Sequence, residues 1–117
     1  MPPRFDPAEV EARLRRAWSA GSSSRWRPDN PALGQCSATA LVLYSIYGGE
    51  LLKTPVPFEG RMAPHFYNRI AGRSFDATAS QFAAPPAYAD EPSTPEEALA
   101  DTSSSQVAHL LAAFRAA

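Results

Sequence analysis

The chain has 117 residues and 12.6 kDa, enough for one core that buries roughly 65% of the unfolded surface and too little for a second domain. Its hydrophobic fraction of 44% and charged fraction of 20% exclude a disordered chain, and a net charge of -1 argues against a general polyanion binder, so nucleic acid is not an expected partner. The longest uncharged apolar stretch, Leu41 to Tyr47, is far below the ~20 residues of a membrane span, and MPPRFDP lacks the apolar core of a signal peptide. A cytoplasmic protein without membrane contact is expected. Its lone Cys36 cannot close an intramolecular disulfide and is free for other work. Charge is uneven: residues 1–73 hold ten of the eleven basic side chains against six acidic ones, and residues 74–117 hold one against six. Pairing within the fold accounts for such a split.

Twelve prolines, clustered at 2–7, 28–31, 55–64 and 85–95, cut the chain into four foldable pieces. Asp6 as cap, Pro7 at the first helical position and Glu9 three residues after the cap open a helix whose Val10, Leu14, Ala17 and Trp18 share a face, and Gly21 is expected to stop it. Residues 22–34 read as an irregular loop, because Pro28 and Pro31 remove donors and the Asp, Asn and Gly residues supply turn chemistry. From Gln35 to Tyr47 the run is apolar on nearly every face and ends at Gly48 and Gly49, which predicts a buried central helix.

The segment ELLKTPVPF predicts a strand that Pro55 and Pro57 restrict to an edge or an early exit. PHFYNRI and RSFDAT then flank Ala71-Gly72 as a hairpin. Residues 83–95 read as a proline-rich loop, Thr94-Pro95-Glu96-Glu97 as a helical start, and Val107, Leu110, Leu111 and Phe114 as the apolar stripe of a terminal helix. The pattern predicts a single α+β domain over residues 1–117, with a central buried helix packed on a small antiparallel sheet and helices at both ends.

Cys36 falls in the first turn of the central helix, where free amides and the positive end of the helix dipole favour a thiolate. The Ala71-Gly72 turn sets a register in which His65 lies opposite Thr78 and Asp76 opposite Tyr67. Those four side chains then share one face, with His65 and Asp76 as diagonal neighbours, while Phe66, Asn68, Phe75 and Ala77 take the other. An imidazole beside an orienting carboxylate, docked against a helix start bearing a cysteine, supplies nucleophile, base and orienter. Gln35 and Asn30 are candidate carboxamide donors to an oxyanion, and Trp26 is a candidate ligand-stacking residue. Ser22, Ser23 and Ser24 read as loop and cap hydroxyls, and His109 as a structural residue. Arg25-Trp26-Arg27, near Arg13, Arg15 and Arg16, interleaves basic and aromatic residues in a way that single-stranded nucleic acid could use, but Glu9 and Glu11 dilute it into a solvated helix face. Cys36, His65 and Asp76 are also acceptable zinc ligands, although no CxxC or HxxxH spacing accompanies them.

With these residues in view, the strings Trp18 to Trp26, NPALGQCSATA from Asn30, Gly48-Gly49-Glu50, HFYNRI from His65 and FDATASQF from Phe75 resemble the YunG-like family of small bacterial proteins. The resemblance is close over residues 18–82 and looser in DTSSSQVAHLL, and it implies a single YunG-like domain over residues 1–117. The order Cys, His, Asp, with the cysteine opening a helix and the others on following strands, is also similar to the papain-like group that includes transglutaminase-like and NlpC-type enzymes. That similarity implies a papain-like minimal domain in which Cys36 matches the nucleophile, His65 the base, Asp76 the third member and Gln35 an oxyanion donor. In that group the glutamine lies several residues before the cysteine, whereas Gln35 is adjacent to it. The expected function is a cysteine-dependent hydrolase or acyl transferase on an amide or ester-type bond, with no cofactor and with a peptide or small acyl compound as substrate. A non-catalytic binding or interaction domain and a Cys/His/Asp metal site are the alternatives.

Overall fold

The computed structural model describes residues 2–117 as an α+β domain of four helices and one four-stranded antiparallel sheet. Helix α1 spans Pro7–Ala17, and the Asp6 carboxylate accepts from the amides of Ala8 and Glu9, as its capping position requires. The helix ends at Trp18, short of Gly21. Trp18 turns to extended backbone, and its indole Nε1 donates to Thr39 Oγ1 at 2.9 Å in the buried interior. An indole needs a partner when buried, and this one redirects the chain before glycine is reached.

Helix α2, Cys36–Tyr47, buries every residue from Ser37 to Leu43. It leads through Gly48 and Gly49 into strands β1 (Glu50–Phe58), β2 (Arg61–Ile70) and β3 (Arg73–Phe75), which run as an antiparallel meander. Both connections are two residues long with left-handed backbone at each position, Glu59-Gly60 (φ 49° and 80°) and Ala71-Gly72 (φ 53° and 78°). Such turns carry the twist that adjacent strands need. The first of these hairpins is not expected from sequence, and it starts β2 three residues before Pro64.

The sheet order is β3-β2-β1-β4, where β4 (Glu91–Pro92) emerges from the proline-rich segment and pairs with Leu52 and Lys53. Strand β1 therefore lies inside the sheet for two pairs and at a rim beyond them, a refinement of the edge position expected for it. Pro55 stands directly opposite Pro64. Neither can donate, so this is a non-hydrogen-bonded pair whose missing N–H groups point outward, past the ends of β4 and β3.

Helix α3 (Pro95–Leu99), capped by Thr94, and helix α4 (Ser104–Ala116), capped by Ser103, are separated at residues 100–103. Val10, Leu14, Trp18, Val42, Leu110 and Phe114 join α1, α2 and α4 in one core cluster, and Leu41, Leu51, Phe66 and Ala98 join α2, the sheet and α3 in another. Arg13 lies over the Phe114 ring at 4.5 Å and donates to the Phe114 carbonyl at 2.9 Å, which ties α1 to the last turn of α4. The uneven charge is partly paired across the fold, by Lys53 with Glu97 and by Arg69 with Glu50 and Asp90. No helix among the described residues is long and apolar enough to cross a membrane.

Gly49 has left-handed backbone (φ 81°), and a Cβ there would collide with the Arg69 carbonyl, whereas a Cβ at Gly60 would meet open space. Gly49→Ala is expected to lower stability by more than about 3 kcal/mol, against roughly 1–2 kcal/mol for Gly60→Ala, which bears only the backbone strain. Urea unfolding of the two variants measures the difference.

Candidate functional site

Strand β2 places four consecutive buried side chains, His65 to Asn68. Phe66 packs with Ala40 and Leu41 of α2, and Asn68 Nδ2 donates to the Ala40 carbonyl at 3.0 Å. The alternate positions meet the segment that follows β3. Phe82 sets its ring edge-on to His65 with centroids 4.8 Å apart, and Tyr88 does the same to Tyr67 at 5.0 Å.

The register of the β2–β3 hairpin is the expected one, Ile70 with Arg73 through Asn68 with Phe75. The ladder then stops, so the backbone pairs of Tyr67 with Asp76 and of His65 with Thr78 do not form. Asp76 itself ends it: Oδ1 accepts from the Thr78 amide at 3.2 Å and the Thr78 hydroxyl at 3.3 Å, which curls the chain off the sheet. The other oxygen, Oδ2, accepts from His65 Nε2 at 2.8 Å and from the Tyr88 hydroxyl at 2.7 Å. Thus the side-chain neighbourhood expected from a longer strand is reached by a turn. The imidazole is 1% exposed and the Asp76 side chain 7%.

With Nε2 engaged by Asp76, Nδ1 is the ring nitrogen left for a second partner, and Cys36 shares with His65 the wall of one cavity. Burial pulls the histidine downward. The Asp76 hydrogen bond first, and then the neighbouring Cys36, outweigh that pull and push His65 up to about 9. Cys36 is half-buried at the start of α2, and it lines with His65 a cavity of about 330 Å³. No side chain caps this helix, so the first-turn amides have no side-chain acceptor. Among the described residues no three His, Cys, Asp or Glu side chains converge as metal ligands.

The other sequence candidates lie apart. Gln35 is fully buried, its Nε2 donating to the Ser19 carbonyl at 3.4 Å and its Oε1 without a partner. Asn30 donates to the Gln81 carbonyl at 3.3 Å beside a different depression. Trp26 is half-buried against the helical core, with its Nε1 unpartnered. Ser22 and Ser23 are buried loop hydroxyls, and both also line the Cys36 cavity. His109 meets Ser19 Oγ at 3.2 Å on an exposed surface. The interleaved basic residues are dispersed: Arg27 pairs with Asp29, Arg13 with the end of α4, and Arg25 with Phe58.

Sequence reasoning missed Tyr88 and Phe82, which hold the Asp76 and His65 side chains from the proline-rich segment. That segment is pinned at three further points. Thr54 Oγ1 donates to the Ala87 carbonyl and accepts from the Ala89 amide, and the Tyr67 hydroxyl donates to Asp90 Oδ1 at 2.7 Å. Burial, followed by the bond to Asp76, raises Tyr88 well above the ordinary tyrosine range. The Asp-Ala-Thr triplet was the available signal for the turn at Asp76, whereas PPAYAD carries none that marks Tyr88.

A family model described as YunG protein matches residues 6–117. A curated protein of Bacillus subtilis (strain 168), named "Uncharacterized protein YunG", is 45% identical over 101 residues, which are 86% of this chain and 84% of that protein. No solved structure matches the chain at a significant level. The match over nearly the whole length, including the segments that carry Cys36, His65 and Asp76, makes this chain a member of the YunG family.

Proposed function

We propose that the protein is a cysteine-dependent hydrolase or acyl transferase acting on an amide or ester-type bond. The observation that carries this reading is a buried imidazole, hydrogen-bonded to Asp76, that lines one cavity together with a half-buried cysteine. The order of the three residues, with the cysteine at a helix start, is the papain-like arrangement the sequence resembles. A lone thiol that must stay reduced also suits the cytoplasm.

In this mechanism the Cys36 sulfur, as thiolate beside the protonated His65, attacks the carbonyl carbon of the substrate. The oxyanion formed faces the first-turn amides of α2, which the helix dipole makes favourable donors. His65 gives its proton to the departing amine or alcohol, leaving a thioester on Cys36. Water or a second acceptor then loses a proton to His65 and takes the acyl group, which restores the thiolate. Asp76 holds the Nε2 proton and so keeps Nδ1 toward the sulfur. Gln35, whose amide is committed to Ser19, has no part in the oxyanion site in this scheme.

The histidine sets a pH dependence. Its folded value of about 9 lies above the ordinary 6.5, so its interactions stabilise the fold fully below about pH 6.5 and are lost as pH rises through about 9. The stabilisation is about 3 kcal/mol at its maximum. The His65 ring resonances should titrate near pH 9, and Asp76→Asn should bring the midpoint down toward 6.5. A midpoint near 6.5 in the parent protein would contradict the paired arrangement.

Thiol chemistry tests the function directly. At pH 6 iodoacetamide should modify Cys36 at least about tenfold faster than it modifies N-acetylcysteine, whose thiol is then overwhelmingly protonated. His65→Ala, checked for folding by circular dichroism, should remove that advantage. A rate equal to the free thiol and indifferent to His65→Ala would overturn the proposal.

A further inference from the structure

The cavity over Cys36 carries one guanidinium, that of Arg25, and one carboxyl, that of Asp101, on its walls. Arg25 is held from three directions. Its amide donates to Ser23 Oγ at 3.1 Å, its stem runs over Gly34, where a Cβ would come within 2.8 Å of the Arg25 Cβ, and its guanidinium carbon lies 4.2 Å from the centroid of the Phe58 ring. Stacking on a ring occupies the face of a guanidinium and leaves its in-plane N–H donors free, in the fork that matches a carboxylate.

Those donors have no acceptor in the protein. Among the described residues Arg25 forms no ion pair and no side-chain hydrogen bond, although Arg27, two residues on, is paired with Asp29. Arg25 is an exposed residue, but a guanidinium already stacked on the Phe58 ring loses less side-chain freedom when it binds a ligand.

We propose that the Cys36 cavity takes a small substrate bearing a free carboxylate along with its scissile carbonyl, and that Arg25 binds that carboxylate. The inference rests on the Cys36, His65 and Asp76 reading above and narrows it to a substrate class: acylated amino acids and monoamides or monoesters of dicarboxylic acids. Asp101 repels an anion, so the carboxylate end is directed to the Phe58 wall. A volume of about 330 Å³ suits such a molecule, being at the lower end of the roughly 300–1,000 Å³ of small-molecule sites.

Matched alkylating reagents test this without knowledge of the natural substrate. N-chloroacetylglycine and N-chloroacetyl-β-alanine carry the carboxylate, and their methylamides lack it. In each case the Cys36 thiolate displaces chloride and a thioether forms. At low salt the parent protein should react about tenfold or more faster with the acid than with the methylamide in at least one pair. Arg25→Leu should bring that ratio to about one, and Arg25→Lys should keep part of the preference. A ratio of one or less in the parent, or a preference that survives Arg25→Leu, would overturn the carboxylate assignment alone. Alkylation by all four reagents at the rate of N-acetylcysteine would overturn both this inference and the catalytic reading beneath it.

Discussion

The bond between His65 and Asp76 organises the molecule around itself. A buried imidazole that holds a proton needs an acceptor close by, because transferring an unpaired charge into a protein interior is far costlier than any single packing contact. Asp76 supplies that acceptor, and four donors converge on it: the ring nitrogen of His65, the hydroxyls of Tyr88 and Thr78, and the Thr78 amide. The chain must leave the sheet after Phe75 to deliver this carboxylate, and it must return over β2 to deliver Tyr88. The shortness of β3 and the path of the proline-rich segment thus follow from one electrostatic requirement.

The helices answer a second requirement, which is to fix where the cysteine sits. Helix α2 is apolar on nearly every face, so it is packed from several sides, by β2, by α3 and by the α1–α4 pair. Its position therefore leaves little freedom for Cys36 at its first turn. The Trp18 to Thr39 bond and the Asn68 to Ala40 bond anchor the same helix through polar contacts in the interior, where register errors would leave a donor unsatisfied.

Much of this was legible in the residues. Proline marked the start of α1 and glycine the end of α2, though Gly21 does not end α1, and a buried helix followed from a nearly continuous apolar run. The Ala71-Gly72 turn gave the correct register up to Phe75, and the juxtaposition of His65 with Asp76 came out right for a partly different reason, since a side chain at a turn reached where a ladder had been expected. The Glu59-Gly60 hairpin was hidden because Pro55, Pro57 and Pro64 flank it, and prolines argue against strands unless their empty positions point outward together. The places of Gln35 and Asn30 were not legible either. Each carboxamide is drawn to a particular main-chain carbonyl, Ser19 for one and Gln81 for the other, and those carbonyls come near only once the chain is folded.

The prolines of the hairpin also restrict how any guest can be held. Beyond Lys53 the outward-facing donor positions of β1 fall on Pro55 and Pro57. An incoming extended chain would find carbonyls there and almost nothing to donate to its own. Strand addition, the commonest way for a sheet rim to grip a peptide or to join a second copy of itself, is closed off along that margin. A guest at that margin would have to be gripped by side chains rather than by the backbone.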